Sequence, residues 1–244
     1  MAKATKPSAR KKNNKKQAEK PSLRQRVIVW LKRAGIAAMV LPIIAVVIYS
    51  FANPPVTPYM VAEAARHGGV TREWVDIEDI SPHMTRAAVA AEDANFCLHW
   101  GFDMSAIRAA IEGGAARGGS TISQQTVKNA YLWQGRSWVR KGLEAFITPV
   151  VELVWSKRRI LEVYLNIAEF DTGVFGVQAA SQHYFGRDAA DLTAYQAGLL
   201  AAVLPNPKER DAAHPSANLS SRAERIADGA ATIAGDERSE CFDD

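Results

Sequence analysis

The chain has 244 residues, with 30 Lys and Arg against 26 Asp and Glu and a pI near 9.1. That length suits one folded domain with room for an appendage. The basic excess is local: residues 1–33 hold twelve Lys and Arg against Glu19 alone, a formal +11, and the remainder sums to −7, which argues against a nucleic-acid-binding body.

After the basic tail comes Ala34–Phe51, eighteen residues without a charge. Counted back through Val27–Leu31, where Lys32 and Arg33 can snorkel, the segment is long enough to cross a hydrocarbon core of about 30 Å as a helix. Pro42 is tolerated there, Tyr49 and Phe51 suit the far interface, and Asn53-Pro54-Pro55 ends the run. A cleaved signal peptide is the alternative, but it has a short basic region and a small-residue site, and no such site follows Phe51. A buried core helix is seldom preceded by so dense a basic run. The expected organisation is a basic cytoplasmic tail over 1–33, a transmembrane helix over 34–52 and an exported body.

Asn53–Pro58 reads as a proline-rich joint, and Val61–Ile80 has no assignable pattern. Ser81-Pro82 predicts an N-cap with proline in the first turn, opening a helix over Thr85–Leu98. Ser105–Ala116 carries Ile107, Ala110, Ile111 and Ala115 at helical spacing, amid glycines at 113, 114, 118 and 119. Thr121-x-x-Gln124 and Thr193-x-x-Gln196 fit capping boxes that open two more helices. Ser137–Trp155, bent at Pro149, and Lys157–Leu165 complete the helical segments, and alternating strand patterns are scarce. The fold class is mainly α. Cys97 and Cys241 are the two cysteines; an exported body permits a disulfide, but Cys241 lies in a polar C-terminal stretch, so two separate thiols are expected. No His-x-x-x-His or His-Glu-x-x-His pattern supports a zinc site.

Glu92 and Asp93 sit in the alanine-rich run Ala87–Phe96. A glutamate facing a cleft there is poorly solvated and has a raised pKa, although an acid on a solvent face has the same sequence. His99 is read as a packing or hydrogen-bonding residue. If Ser120 or Thr121 caps the following helix, one face carries Thr121, Gln125, Lys128 and Leu132, with Asn129 four residues beyond Gln125. Hydroxyls at a helix start followed by amide and ammonium groups suit phosphate and sugar, as well as an ordinary solvated face. Arg136, Arg140 and Glu144 recur at four-residue intervals with Lys141 beside them, an arrangement a surface ion-pair ladder shares. Glu92 and Glu144 with Gln125, Lys128, Arg136, Arg140 and Lys141 between them supply what glycosyl transfer from a diphosphate needs, one base and positive charge for the leaving group. Ile160, Leu161, Tyr164 and Leu165 form a core stripe, Glu162 is placed to pair with Arg158, and Asp171–Gly176 is a glycine-punctuated loop suited to the wall of a cleft.

Five ordered motifs carry a resemblance. They are Glu92-Asp93-x-x-Phe96-x-x-His99-x-Gly101-x-Asp103, Gly118-x-Ser120-Thr121-Ile122-x-Gln124-Gln125-x-x-Lys128-Asn129, Arg140-Lys141-x-x-Glu144, Lys157-x-x-Ile160-Leu161-Glu162-x-Tyr164-Leu165-Asn166 and Gly173-x-x-Gly176-Val177. In this order and spacing they resemble the peptidoglycan glycosyltransferases of family 51, over about residues 56–207. Ser123 stands where threonine is commoner in that family. Residues 208–244 form a C-terminal extension that is not a close match and is too short for the transpeptidase domain of bifunctional relatives. The only Ser-x-x-Lys, Ser8 to Lys11, lies in the tail.

The resemblance implies a lysozyme-like helical lobe and a smaller membrane-proximal lobe, with the glycines at 113, 114, 118 and 119 in a mobile connection. It implies polymerisation of lipid II into β-1,4-linked glycan with release of undecaprenyl diphosphate. Glu92 would be the general base, and Glu144 a second acid orienting cations or a metal. Lys128, Arg136, Arg140 and Lys141 would meet the diphosphate; Asp93, Phe96, Ser120, Thr121, Gln125 and Asn129 would line the substrate site. No cofactor is required; a divalent cation, Mg²⁺ or Mn²⁺, is compatible but has no ligand cluster in the sequence. The partners implied are lipid II, the nascent strand, the membrane, and among proteins transpeptidases and division or elongation factors, with no nucleic acid. The location implied is the bacterial inner membrane, N-terminus inside and catalytic body outside. Two rivals stand beside this reading: a lysozyme-like lytic enzyme, which needs no diphosphate site, and a catalytically idle scaffold.

Overall fold

The structure, a computed structural model, describes residues 22–112, 119–135 and 137–243. The chain divides into two units, one ending at Val40 and one beginning at Leu41. Most of the first helix, α1 (Leu23–Tyr49), belongs to the first unit. It starts before the uncharged run because Leu23–Arg33 contains only residues that tolerate a helix. Its 27 residues, with a best-window mean hydropathy of 2.0, are long and apolar enough to cross a membrane; at 1.5 Å per residue they extend about 40 Å.

In the second unit the end of α1 is anchored to the body. Val46 is fully buried, and its carbonyl accepts a hydrogen bond from Trp155 Nε1 at 2.7 Å. Arg159 donates to the carbonyls of Tyr49 at 3.1 Å and Ala52 at 3.0 Å, placing a cation where the helix exposes its last acceptors. Tyr49 stacks on Tyr131.

Next come α2 (Pro58–His67), capped by Thr57 with proline in its first turn, and α3 (Pro82–Glu92). The connector between them contributes strand β1 (Thr71–Arg72) and is pinned by the buried Asn166, whose amide exchanges two hydrogen bonds with the Val75 backbone at 2.9 and 2.8 Å. Then follow α4 (Met104–Glu112), α5 (Ile122–Tyr131), α6 (Trp138–Val154) and α7 (Lys157–Ile167). Strands β2 (Glu169–Asp171) and β3 (Val174–Phe175) form a hairpin, and β3 lies between β1, which is parallel, and β2, which is antiparallel. Helices α8 (Val177–Phe185), α9 (Ala194–Val203) and α10 (Ala217–Gly235) end the fold. Both expected capping boxes are present, at Thr121 with Gln124 and Thr193 with Gln196. The molecule is mainly α, as expected; the glycines at 113, 114 and 118 lie outside the described residues.

Two expectations are overturned. The helix expected over Thr85–Leu98 stops at Glu92, and a separate 3-10 turn covers Phe96–Leu98. Asp93 leaves the helix because its carboxylate is committed elsewhere, to the backbone N–H of Ile122 and to His99. Nor are the two thiols separate: Cys97 and Cys241 form a disulfide across 144 positions. The C-terminal stretch is no loose tail, since α10 buries Leu219, Ala223, Ile226, Ala230 and Ile233, and Phe242 follows them fully into the core.

Helices α3, α9 and α10 pack on one another, and α5 packs on α6 and α7. The tightest crossing is at Gly198, where an added Cβ would stand 2.4 Å from the carbonyl oxygen of Ala223. That neighbour is backbone and cannot rotate away. Gly198→Ala should therefore cost about 1–3 kcal/mol or more of stability, read as a lower urea midpoint; an unchanged midpoint would show that α9 and α10 can separate freely.

Candidate active site

Three elements meet at Glu92, the end of α3, the first two turns of α5 and the middle of α7, and the start of α6 reaches Lys128 beyond it. Glu92 is mostly buried and its Oε2 accepts a hydrogen bond from Gln125 Nε2 at 2.8 Å. Gln125 is itself steadied by the buried Tyr164 hydroxyl, which donates to its Oε1 at 3.3 Å. Burial pushes the Glu92 carboxyl above its ordinary pKa, opposed by the Gln125 hydrogen bond and by the charges of Arg222, Lys128 and Arg210.

Beyond Gln125 on the same helix face, Lys128 feels the charge of both Glu92 and Glu144. Burial depresses its ammonium pKa, with Arg140 and Lys141 adding to that and the two carboxylates opposing it. The buried Glu144 accepts from Arg140 at 2.7 Å on one oxygen and from Lys141 on the other. The cations therefore stand as a group, only partly neutralised by one carboxylate. A cavity of about 200 Å³ opens beside Gln125, Lys128 and Asn129, with Tyr164 and Glu169 in its wall. A second, of about 220 Å³, opens on Glu92 itself and is lined by Asp103, Gly119 and Ser120 among others.

Several other expected site residues line these cavities and also hold the site together. Asp93 is buried and bonds His99 Nε2 at 2.8 Å and the Ile122 N–H at 3.0 Å, tying the end of α3 to the start of α5. Thr121 accepts from the Gln124 N–H in its capping box and donates to the Gly101 carbonyl at 2.7 Å. Phe96 has no exposed surface; it packs toward Phe242, and Lys157 Nζ lies 4.5 Å from its ring centre, so the structure gives it a core position in place of a substrate contact. Asn129 is buried and accepts from Gln134 Nε2 at 3.1 Å, while Ser120 is exposed at the mouth of the Glu92 cavity. Arg136 lies outside the described residues. Glu162 pairs with Arg159 at 2.8 Å, a scaffold contact.

Both Glu144 oxygens are occupied by cations, and among the described residues no three His, Cys, Asp or Glu side chains gather into a metal site. Among the described residues, those around Glu144 do not fit a divalent ion. Tyr164 is in the core and His99 is a hydrogen-bonding residue, as expected from the sequence; the structure adds their partners, Gln125 and Asp93, while sequence reasoning passed over Arg210 and Arg222. The arginines lie past Pro207, where no motif marks them.

The family model described as Transglycosylase matches residues 60–231. The chain belongs to the transglycosylase family. Among its relatives, the biosynthetic peptidoglycan transglycosylase of Jannaschia sp. (strain CCS1) is 63% identical over 213 residues, covering 87% of this chain and 89% of the relative. Proteins of the same name from Caulobacter vibrioides (46% over 204 residues, 82% and 89% covered) and Stutzerimonas stutzeri (47% over 208 residues, 81% and 83% covered) are also similar. The family match runs past Pro207 into α10, so the helix carrying Arg222 is part of what the family shares.

Proposed function

We propose that this transglycosylase polymerises lipid II into β-1,4-linked glycan strands. The observation that carries the reading is the mostly buried Glu92, hydrogen-bonded to Gln125 and within reach of the charge of Lys128, which in turn feels the Arg140–Lys141–Glu144 group. Glu92 takes the proton from the acceptor 4-hydroxyl; that oxygen bonds to C1 of the growing strand; the bond from C1 to the diphosphate oxygen breaks, and undecaprenyl diphosphate leaves with the electron pair. Attack on one face and departure from the other invert the anomeric carbon, giving β from α, the geometry inverting glycosidases also use. Lys128, Arg140 and Lys141 meet the charge that grows on the leaving group. Lytic chemistry would leave that cation group without a task.

The body works outside the cytoplasm, tethered by α1 with the basic tail inside. Two features support this: the +11 tail ahead of an apolar helix, and a disulfide, which persists in oxidising compartments. Tethering suits substrates that are themselves held in the bilayer by polyprenyl chains.

Incubating the purified, detergent-solubilised chain with lipid II should yield lysozyme-sensitive polymer. Cleavage of added glycan strands without polymer would replace this reading by the lytic one, and intact lipid II would leave a scaffold. The pH dependence has a defined sign. Glu92 must be ionised to act, so kcat/KM rises with pH through its raised pKa, above the usual carboxylate range. Gln125→Ala removes a bond that favours the ionised form while burial and the charges of Lys128, Arg210 and Arg222 remain; the acid limb should move to higher pH. A limb that stays put or moves down would remove Glu92 as the titrating group.

A further inference from the structure

One basic cluster stands outside the machinery above. Arg210, in the loop after α9, and Arg222, near the start of α10, line a cavity of about 320 Å³ that also contains Glu209, Asp211 and His214. The acids in its wall are already engaged. Asp211 Oδ1 accepts from the backbone N–H groups of Ala213 and His214 at 2.7 and 3.1 Å, and Glu209 accepts from Asn206 Nδ2 at 2.5 Å. Arg210 spends one N–H on the Ala202 carbonyl at 2.6 Å. Arg222 differs: its Nε is sealed from solvent and, among the described residues, has no hydrogen-bond partner. The rest of the half-buried Arg222 side chain lines the cavity, where a guanidinium favours an oxyanion.

Helix α10 packs on α3, which ends at Glu92, and the charges of both arginines reach that carboxylate. What approaches here is limited by the chemistry of the proposed substrate, on which this inference rests. Lipid II carries anions in two places: the diphosphate, one bond from the lipid, and the carboxylates of the peptide on its muramyl sugar. The diphosphate belongs with Lys128, Arg140 and Lys141 of α5 and α6; Tyr131 of α5 and Trp155, which caps α6, also hold the end of α1. The arginine cavity is built on the loop after α9 and on α10 instead.

We propose that the Arg210–Arg222 cavity is a carboxylate subsite that receives an acidic group of the lipid II peptide and so orients the incoming disaccharide toward Glu92. Arg222 and Arg210 supply guanidinium charge at the cavity wall, and Glu209 and Asp211 already accept hydrogen bonds of their own, which leaves the ligand's carboxylate as the acceptor for the arginines.

The test compares two substrates on the full-length protein: lipid II, and lipid II whose peptide carboxylates have been converted to primary amides with the diphosphate untouched. Wild type should prefer the native substrate about tenfold in kcat/KM, the scale of a hydrogen bond to a charged group. Arg222→Gln should erase that preference and Arg222→Lys restore part of it, with thermal melts confirming that each variant folds. If Arg222→Gln does not fold, Arg210→Gln carries the test, with a reduced preference expected. A wild type indifferent to amidation overturns the subsite, as does a folded Arg222→Gln, or in its place Arg210→Gln, that keeps the full preference. Equal loss on both substrates also overturns it, because Arg222 would then act only through Glu92. No polymer from either substrate with wild type would mean instead that the transferase reading had failed.

Discussion

Glu92→Gln is expected to lower lipid II polymerisation by about 10²–10⁴-fold, the contribution of a positioned general base. The substitution is close to isosteric: the new side-chain oxygen can still accept from Gln125 Nε2, now at 2.8 Å from the carboxylate, so the cavity keeps its shape and loses only its base. Stability should move the other way. The folded-state pKa of Glu92 is raised, so its contribution is fully present below the unfolded pKa and is lost as pH rises through the folded value. At neutral pH the ionised carboxylate is therefore a burden on the fold, and an amide that cannot ionise relieves it. Polymerisation rates and thermal melts on the same samples decide the matter. An inactive variant that melts at or above the wild-type temperature fits a base held in an unfavourable place for function; a loss of less than tenfold would take the base role away from Glu92.

The local parts of this arrangement are legible in the sequence because they are set by neighbours. Thr121 and Gln124 lie three apart and close a capping box; Gln125 and Lys128 share a helix face by spacing alone; Arg140 and Glu144 meet because they are four apart. What sequence cannot show is which distant group claims a side chain. Asp93 reads as one more helical residue until Ile122 and His99 take its oxygens and end the helix there. Phe96, part of a motif that points to substrate, is drawn into the core by Phe242, which comes from a stretch that looks polar and loose. Arg222 sits in that same stretch with no spacing signal, and only the packing of α10 on α3 brings its charge to Glu92.

Breaking the Cys97–Cys241 disulfide should cost about 2–5 kcal/mol and lower the melting temperature by roughly 5–15 °C. The bridge closes a loop of 144 positions, so the reduced, unfolded chain regains a large freedom that the oxidised chain lacks. In the folded state the C-terminal stretch has other holds on the body: Phe242 is buried, its carbonyl accepts from Arg158 at 2.9 Å, and Asp243 pairs with Arg86 of α3 at 2.7 Å. Those holds keep the stretch seated at assay temperature. The double variant Cys97→Ser, Cys241→Ser should therefore melt earlier yet retain most of its activity at 25 °C, since neither sulfur lines the Glu92 or Lys128 cavity. Reductant should lower the wild-type melting temperature to that of the double variant and leave the variant unmoved. If activity instead collapses with the bridge, the turn from Asp93 to His99 depends on it directly, and the disulfide is part of how Glu92 is aimed.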